Sequence, residues 1–320
     1  MNMTLLLLLL GAGALIIPML ADDEEDSEES KDMIKGTPED DALEGTAASE
    51  EIFGFLGDDV INGNGGEDIL RGSGGEDTIT GGEERDVIYG GAANDVLNGM
   101  GGNDTIEGGG GDDVIDAGEG NDIVRAGYGN DVIYGNSGTD TLRGEADDDD
   151  IFLWGEGGHA YGGDGDDELV MVTGRGVLEG VAGVNTFYAL ANDDDEQETV
   201  AIIQELGTGD EIVMTIDTSD PDALDADLKV TVTEDSINGS DGYRIEVSFL
   251  NPEDEPDGDD TYESSVVYIL GRSVPVETVI ESIKVDVTLN AGLSTEEAQL
   301  TFETVKAGAT APAATAPNIL

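Results

Sequence analysis

The sequence predicts an all-β chain: a parallel β-roll solenoid over residues 36–188, followed by a smaller β-rich C-terminal domain or cap over residues 189–304. Three observations carry this. A nine-residue rhythm runs without insertion for 13 units, from Gly36 to Phe152. Glycine accounts for 48 of 320 residues and aromatics for only 5%, which argues against a conventional layered core for much of the chain. After Ala189 the rhythm stops, and segments such as "TVAIIQEL", "LKVTVTED" and "SIKVDVTL" take over. Their β-branched, alternating or apolar runs, separated by acidic and glycine-containing turns, have the pattern of strands.

Counted from Gly36, the first place of the unit is Gly in 11 of 13 and Ala in two, Ala117 and Ala126. The sixth place is Asp in 12 and Glu once, at Glu50; the eighth is Ile, Leu or Val in all 13, from Leu43 to Ile151. Three residue classes held in phase for so long mark a solenoid. Each unit divides into a six-residue turn and a three-residue strand. Glycine at the first and fourth places permits a tight loop with positive φ. The strand is short, so the eighth side chain alone is expected to point inward, and Ile61, Ile79 and Ile115 stack with their equivalents as a spine. Successive strands alternate between two parallel sheets, and one coil takes two units. That arrangement puts Asp59 over Asp77, Asp95 and Asp113, and Asp68 over Asp86, Asp104 and Asp122. The phase runs on in weaker form to Tyr188. There "LWGEGGHAY" departs from it, "GGDGDDELV" matches fully, and two last units keep the fourth-place Gly and an apolar eighth place.

Adjacent strands lie ~4.8 Å apart, and carboxylates stacked at that spacing repel by roughly 1 kcal/mol per pair in water and by more once desolvated. A hard divalent cation between the turns reverses this. Ca²⁺ accepts about 6–8 oxygens from carboxylates and backbone carbonyls, whereas Mg²⁺ demands a stricter octahedron and keeps its waters. The candidate ligands are Asp41, Asp59, Asp68, Asp77, Asp86, Asp95, Asp104, Asp113, Asp122, Asp131, Asp140, Asp149 and Asp167. The plainer alternative is a metal-free glycine-rich solenoid with solvated aspartates. Glu39, Ala48, Glu84, Ala93 and Asp147 replace the fourth-place Gly, and Glu50 replaces the Asp, so weaker or absent ions are expected there. Unbroken Gly-x-Asp units run from Gly54 to Thr80 and from Gly99 to Arg143.

The repeat is similar to the glycine-rich calcium-binding repeat of RTX proteins, GGxGxDxUx with U a large aliphatic residue. The resemblance covers about half the chain. It implies a β-roll that takes up several Ca²⁺ ions and folds when it does so. Such rolls are often attached to proteases, lipases or epimerases, and a C-terminal segment can direct their type I secretion. This C-terminus lacks a clear signal of that kind.

Composition narrows the partners. Lys and Arg number 12 against 74 Asp and Glu, for a net charge of −62. So acidic a chain is repelled by nucleic acid and by anionic lipid, and it favours cations. With no Cys it has neither disulfides nor thiolate metal sites. Residues 1–21 carry no charged side chain, and the apolar run 5–20 spans roughly 24 Å as a helix, a little short of the ~30 Å hydrocarbon core. This is either a signal anchor, with membrane attachment through residues 5–20, or a cleaved signal peptide. Both place the remainder outside the cell or at its surface. Residues 22–35 form an acidic linker, and residues 305–320 an Ala/Pro/Thr-rich tail expected to be disordered.

No catalytic motif stands out. The one histidine, His159, lies in the degenerate unit; HExxH and GxSxG are absent, and there is no cysteine nucleophile. The expectation is therefore a non-enzymatic, exported calcium-binding β-roll protein. Its role would be structural, adhesive or surface-related, with a cell-surface or extracellular glycan or protein as partner. The alternative is a hydrolase or carbohydrate-active enzyme whose site lies in residues 189–304. A ligand- or ice-binding solenoid would need a flat, regular threonine face, but Thr78, Thr105 and Thr141 recur irregularly.

Overall fold

The computed structural model describes residues 32–192, 200–204, 206–218, 227–237, 240–250, 266–270, 279, 282–289, 300–306, 309–310 and 314–315. The apolar run 5–20 and the acidic linker up to residue 31 lie outside the described residues. Among the described residues no helix is long and apolar enough to cross a membrane.

Strands alternate between two parallel sheets, as the period requires. Glu50–Leu56, Ile69–Gly74, Val87–Ala92 and Thr105–Gly110 follow one another in one sheet; Val60–Asn64, Thr78–Gly82 and Val96–Met100 do so in the other. Ile61 pairs with Ile79 and Leu70 with Ile88, a register of 18 residues, so each coil holds two nine-residue units. The eighth-place residues from Ile52 to Ile151 are at most 1% exposed and form one continuous spine. Leu43, on the first coil, has a neighbouring strand on one side only and is half-buried. Burial of one such side chain contributes about 1.5–3 kcal/mol, so the spine is the main apolar term of the roll.

The expectation that the eighth residue alone faces inward is corrected. Extended backbone runs from the sixth place through the first place of the next unit, and the pleat alternates along it. Asp68, Leu70 and Gly72 are therefore buried, while Ile69 and Arg71 between them are half-exposed. The sixth-place aspartate belongs to the interior of the roll and not to its solvated rim.

Stacking does not stop at Tyr188, where the nine-residue period ends. Val200–Gln204 pairs in parallel with Arg175–Ala182, and Glu211–Thr218 with Thr186–Asn192; the register Arg175 to Val200 makes this coil 200 − 175 = 25 residues. Val266–Leu270 and Ile283–Leu289 then add one more strand to each sheet. Asp227–Ile237 and Ser240–Leu250 form an antiparallel hairpin, and Ser240–Leu250 pairs with Val266–Leu270. The edge that Val266–Leu270 would otherwise expose is thus covered, as an open sheet end requires. Residues beyond 188 contain the strands their composition predicts. The first of those strands prolong both sheets of the roll, and only then does the chain turn antiparallel. Ala309–Thr310 and Ala314–Thr315, within the segment expected to be a disordered tail, pair with Leu300–Lys306.

Candidate metal centre

The sixth-place side chain sits where the turn enters the strand, and its two oxygens have different surroundings. Oδ1 accepts a hydrogen bond from the backbone N–H of the sixth-place residue one coil earlier. Asp41 N–H donates to Asp59 at 2.8 Å, Asp59 to Asp77 at 2.8 Å, Asp77 to Asp95 at 2.8 Å and Asp95 to Asp113 at 2.8 Å. This row continues through Asp131 and Asp149 to Asp167. The second row runs from Glu50 through Asp68, Asp86, Asp104 and Asp122 to Asp140. The stacking expected from the period is therefore present in both rows, held by side chain to main chain bonds.

Oδ2 is another matter. In Asp59, Asp77, Asp95, Asp104, Asp113, Asp122, Asp131, Asp140, Asp149 and Asp167 it is buried with no hydrogen-bond donor. An ionised oxygen in that position is costly. Burial pushes the carboxyls up, against the lowering effect of the N–H bond to Oδ1. Asp77, Asp113, Asp122 and Asp167 rise to about 6. Asp95, Asp104, Asp131 and Asp140 rise to about 7, and Asp149 to about 8. Stacked carboxylates add to the rise in most of them, Asp77 and Asp113 beside Asp95 for example. Burial thus favours a proton or a cation on these groups over the bare carboxylate.

The first-place glycine borders the same oxygen. A Cβ on Gly63 would lie 2.5 Å from Asp68 Oδ2 and 2.8 Å from the carbonyl oxygen of Gly81, one coil on. On Gly81 it would lie 2.6 Å from Asp86 Oδ2 and 3.0 Å from the Gly99 carbonyl oxygen. The first place is thus crowded and, in the 13 units, takes only glycine or, at Ala117 and Ala126, alanine; none of its glycines has positive φ, which corrects the expectation at this place. Positive φ falls instead at the second and fourth places, as at Gly91 (132°) and Gly120 (138°). A carboxylate oxygen and a main-chain carbonyl oxygen of the next coil both flank first-place glycines such as Gly63 and Gly81. These are the hard oxygen donors that Ca²⁺ selects. Among the described residues no three acidic or histidine side chains converge.

Not every predicted ligand is alike. Asp41 Oδ2 already accepts the Thr37 N–H at 2.5 Å and the Thr37 hydroxyl at 2.9 Å. Glu50 accepts the Thr46 N–H at 3.1 Å and the Thr46 hydroxyl. Two other turns without the fourth-place glycine, those of Ala93 and Asp147, keep the usual carboxylate placement. Ala93 and Asp147 adopt φ of 82° and 77°, and the Asp95 and Asp149 bonds to neighbouring coils are intact.

A second ladder went unforeseen. At the fifth place, Asp58 N–H donates to Asp40 Oδ1 at 3.0 Å, Asp112 N–H to Asn94 at 2.9 Å and Asn121 N–H to Asn103 at 2.7 Å. Here the side chain accepts from the following coil, opposite in sense to the sixth-place row. The signal was available, since the fifth place is Asp or Asn in 8 of 13 units. His159 takes no part in either ladder and stacks on Tyr161, with ring centroids 6.1 Å apart.

The family model for the RTX calcium-binding nonapeptide repeat (4 copies) matches residues 35–70, 53–88, 71–106, 89–124, 116–151 and 125–158. Residues 35–158 are RTX calcium-binding repeats. The RTX match covers the second sixth-place row, Glu50 to Asp140, in full and the first row as far as Asp149, and it ends before Asp167. A comparison with curated proteins finds no match to the chain. RTX calcium-binding repeats folded as a two-sheet β-solenoid are the pattern of a calcium-binding β-roll over residues 35–158, and they support calcium as the partner of those repeats.

Proposed function

We propose that this is an exported protein whose roll assembles on calcium and then serves as a structural or adhesive element at the cell surface. The buried Oδ2 atoms without donors carry the reading. Ten carboxylates that a metal-free fold must protonate become favourable when Ca²⁺ is shared between stacked turns. The ligands are the sixth-place aspartates between Asp59 and Asp149, with Asp167, completed by turn carbonyls. Calcium is favoured over magnesium because carbonyl-rich turns suit a large, flexible coordination shell.

Affinity on the order of 10⁻⁴–10⁻³ M, as in extracellular modules, leaves the roll unfolded in a calcium-poor cytoplasm and folded outside. Residues 5–20 supply the export signal, as an anchor or as a cleaved peptide. The net charge of −62 directs the surface away from nucleic acid and towards a glycan or protein partner bridged by calcium. A stacked, repetitive interior favours a scaffold over a catalyst.

Far-UV circular dichroism of the whole chain in chelator, in magnesium and in calcium tests this. β-Structure should appear with calcium and remain weak with magnesium. A spectrum indifferent to all three overturns the proposal. Mass spectrometry of the mature N-terminus, at Met1 or Asp22, separates anchor from cleaved signal.

A further inference from the structure

We infer that protein groups stand in place of calcium on the first coil and at the far end of the longer row, so that ions are confined to the turns between Asp59 and Asp167. The inference rests on the reading that calcium sits between stacked turns.

The first coil carries the evidence in its second-place residues. Only "GTPEDD" and "GTAASE" among the 13 units have threonine there, Thr37 and Thr46. The Asp41 oxygen equivalent to the donor-free Oδ2 of Asp59 accepts two bonds, from the Thr37 N–H at 2.5 Å and its hydroxyl at 2.9 Å. The same hydroxyl accepts the Glu39 N–H at 3.3 Å, and the Thr46 hydroxyl accepts the Ala48 N–H at 3.1 Å. One hydroxyl proton thus goes to the acid, and a lone pair takes the fourth-place amide. The turn closes around a side chain that supplies what an ion supplies elsewhere. These are also turns whose fourth place is not glycine, and Glu39 and Ala48 keep ordinary negative φ while Gly57 and Gly66 take 103° and 98°.

The far end is closed by different residues. The longer row leaves Asp167 for a neutral amide: Asn185 Oδ1 accepts the Asp167 N–H at 3.0 Å. Asp210 Oδ1 then accepts the Asn185 N–H at 2.9 Å, and its Oδ2 accepts the Gly207 N–H at 2.6 Å. The shorter row ends at Asp140 because the next sixth place is Gly158, which has no carboxylate. An ion needs a turn on each side to fill its shell, and a terminal turn has only one neighbour. Closure by threonine, by Asn185 and by Gly207 fits that geometric limit.

The test counts calcium on the full chain, by equilibrium dialysis with elemental analysis, after circular dichroism in saturating calcium has confirmed folding. The double variant D41N/E50Q should keep the wild-type number of ions and a calcium midpoint within about twofold. D95N/D104N should lose at least one ion and shift the midpoint by roughly tenfold. Equal losses in the two variants overturn the inference. If the second variant does not fold, T37V/T46V decides. It should lower the melting temperature in calcium without lowering the ion count, and an unchanged melting temperature overturns the inference. A wild-type chain that binds no calcium contradicts the proposed function instead, so the two failures are distinguishable.

Discussion

Asp113 Oδ1 accepts the backbone N–H of Asp95 at 2.8 Å, while Asp113 Oδ2 is buried without a donor. One oxygen of each sixth-place aspartate ties coil to coil. The other holds negative charge inside a roll whose apolar spine lies one side chain away. The first function needs only an acceptor; the second is relieved by a proton or by a cation.

Asp113→Asn separates the two. Asn keeps the acceptor and replaces the charged oxygen with an amide donor, as Asn185 does naturally in the same row. In chelator the variant should show more β-structure than the wild type, by about 1–3 kcal/mol for each buried charge removed. In calcium it should need a higher concentration to reach the same signal. Circular dichroism across a calcium titration reads both, and a variant less folded than wild type in chelator would speak against a charge penalty.

The pH dependence follows with a definite sign. The carboxyls rise from 3.8 in the unfolded chain to about 6–8 in the metal-free roll. Protonation therefore stabilises the metal-free fold. That stability is fully present below pH 3.8 and is lost as pH rises through about 6–8. In chelator, β-structure should increase when pH is lowered from 8 to 5. In limiting calcium, the calcium midpoint should move to higher concentration over the same change, because protons compete for the ligand. Titrations at four pH values measure both trends, and a flat response in chelator is incompatible with buried, ionised carboxylates.

Two glycine substitutions in neighbouring places should differ sharply. Gly120 has φ of 138°, and a Cβ there would collide with the Gly102 carbonyl oxygen of the preceding coil. Gly65 has no positive φ, and its nearest neighbour would be Glu84 Oε2 at 3.5 Å. Gly120→Ala should cost at least about 2 kcal/mol in calcium, and Gly65→Ala well under 1 kcal/mol. Thermal melts compare them, and equal effects would mean the turns relax freely.

Much of this was legible in the sequence. A phase of nine residues with an aliphatic eighth place dictated two strands per coil, and with it the stacking of Asp59 on Asp77 and of Asp68 on Asp86. The inward face of those aspartates was not, because extended backbone crosses the unit boundary and turns the sixth and first places inward together with the eighth. The crowding at the first-place glycine is hidden for the same reason: φ is a local property, but the oxygens beside Gly63 come partly from the next coil. Beyond Tyr188 the strands were recognisable from β-branched residues such as those in "TVAIIQEL". Their stacking was hidden, because a 25-residue coil followed by one of 266 − 200 = 66 residues leaves no period to detect. Thr37 and Thr46 were visible as an exception at the second place, yet only the hydrogen bonds to Asp41 and Glu50 give them a purpose.

Anomalous diffraction at long wavelength from crystals grown in excess calcium tests the central claim most directly. Difference peaks should lie at about 2.3–2.6 Å from Oδ2 of Asp95, Asp104, Asp113 and Asp122. Ordered turns that hold water alone beside those oxygens would contradict it.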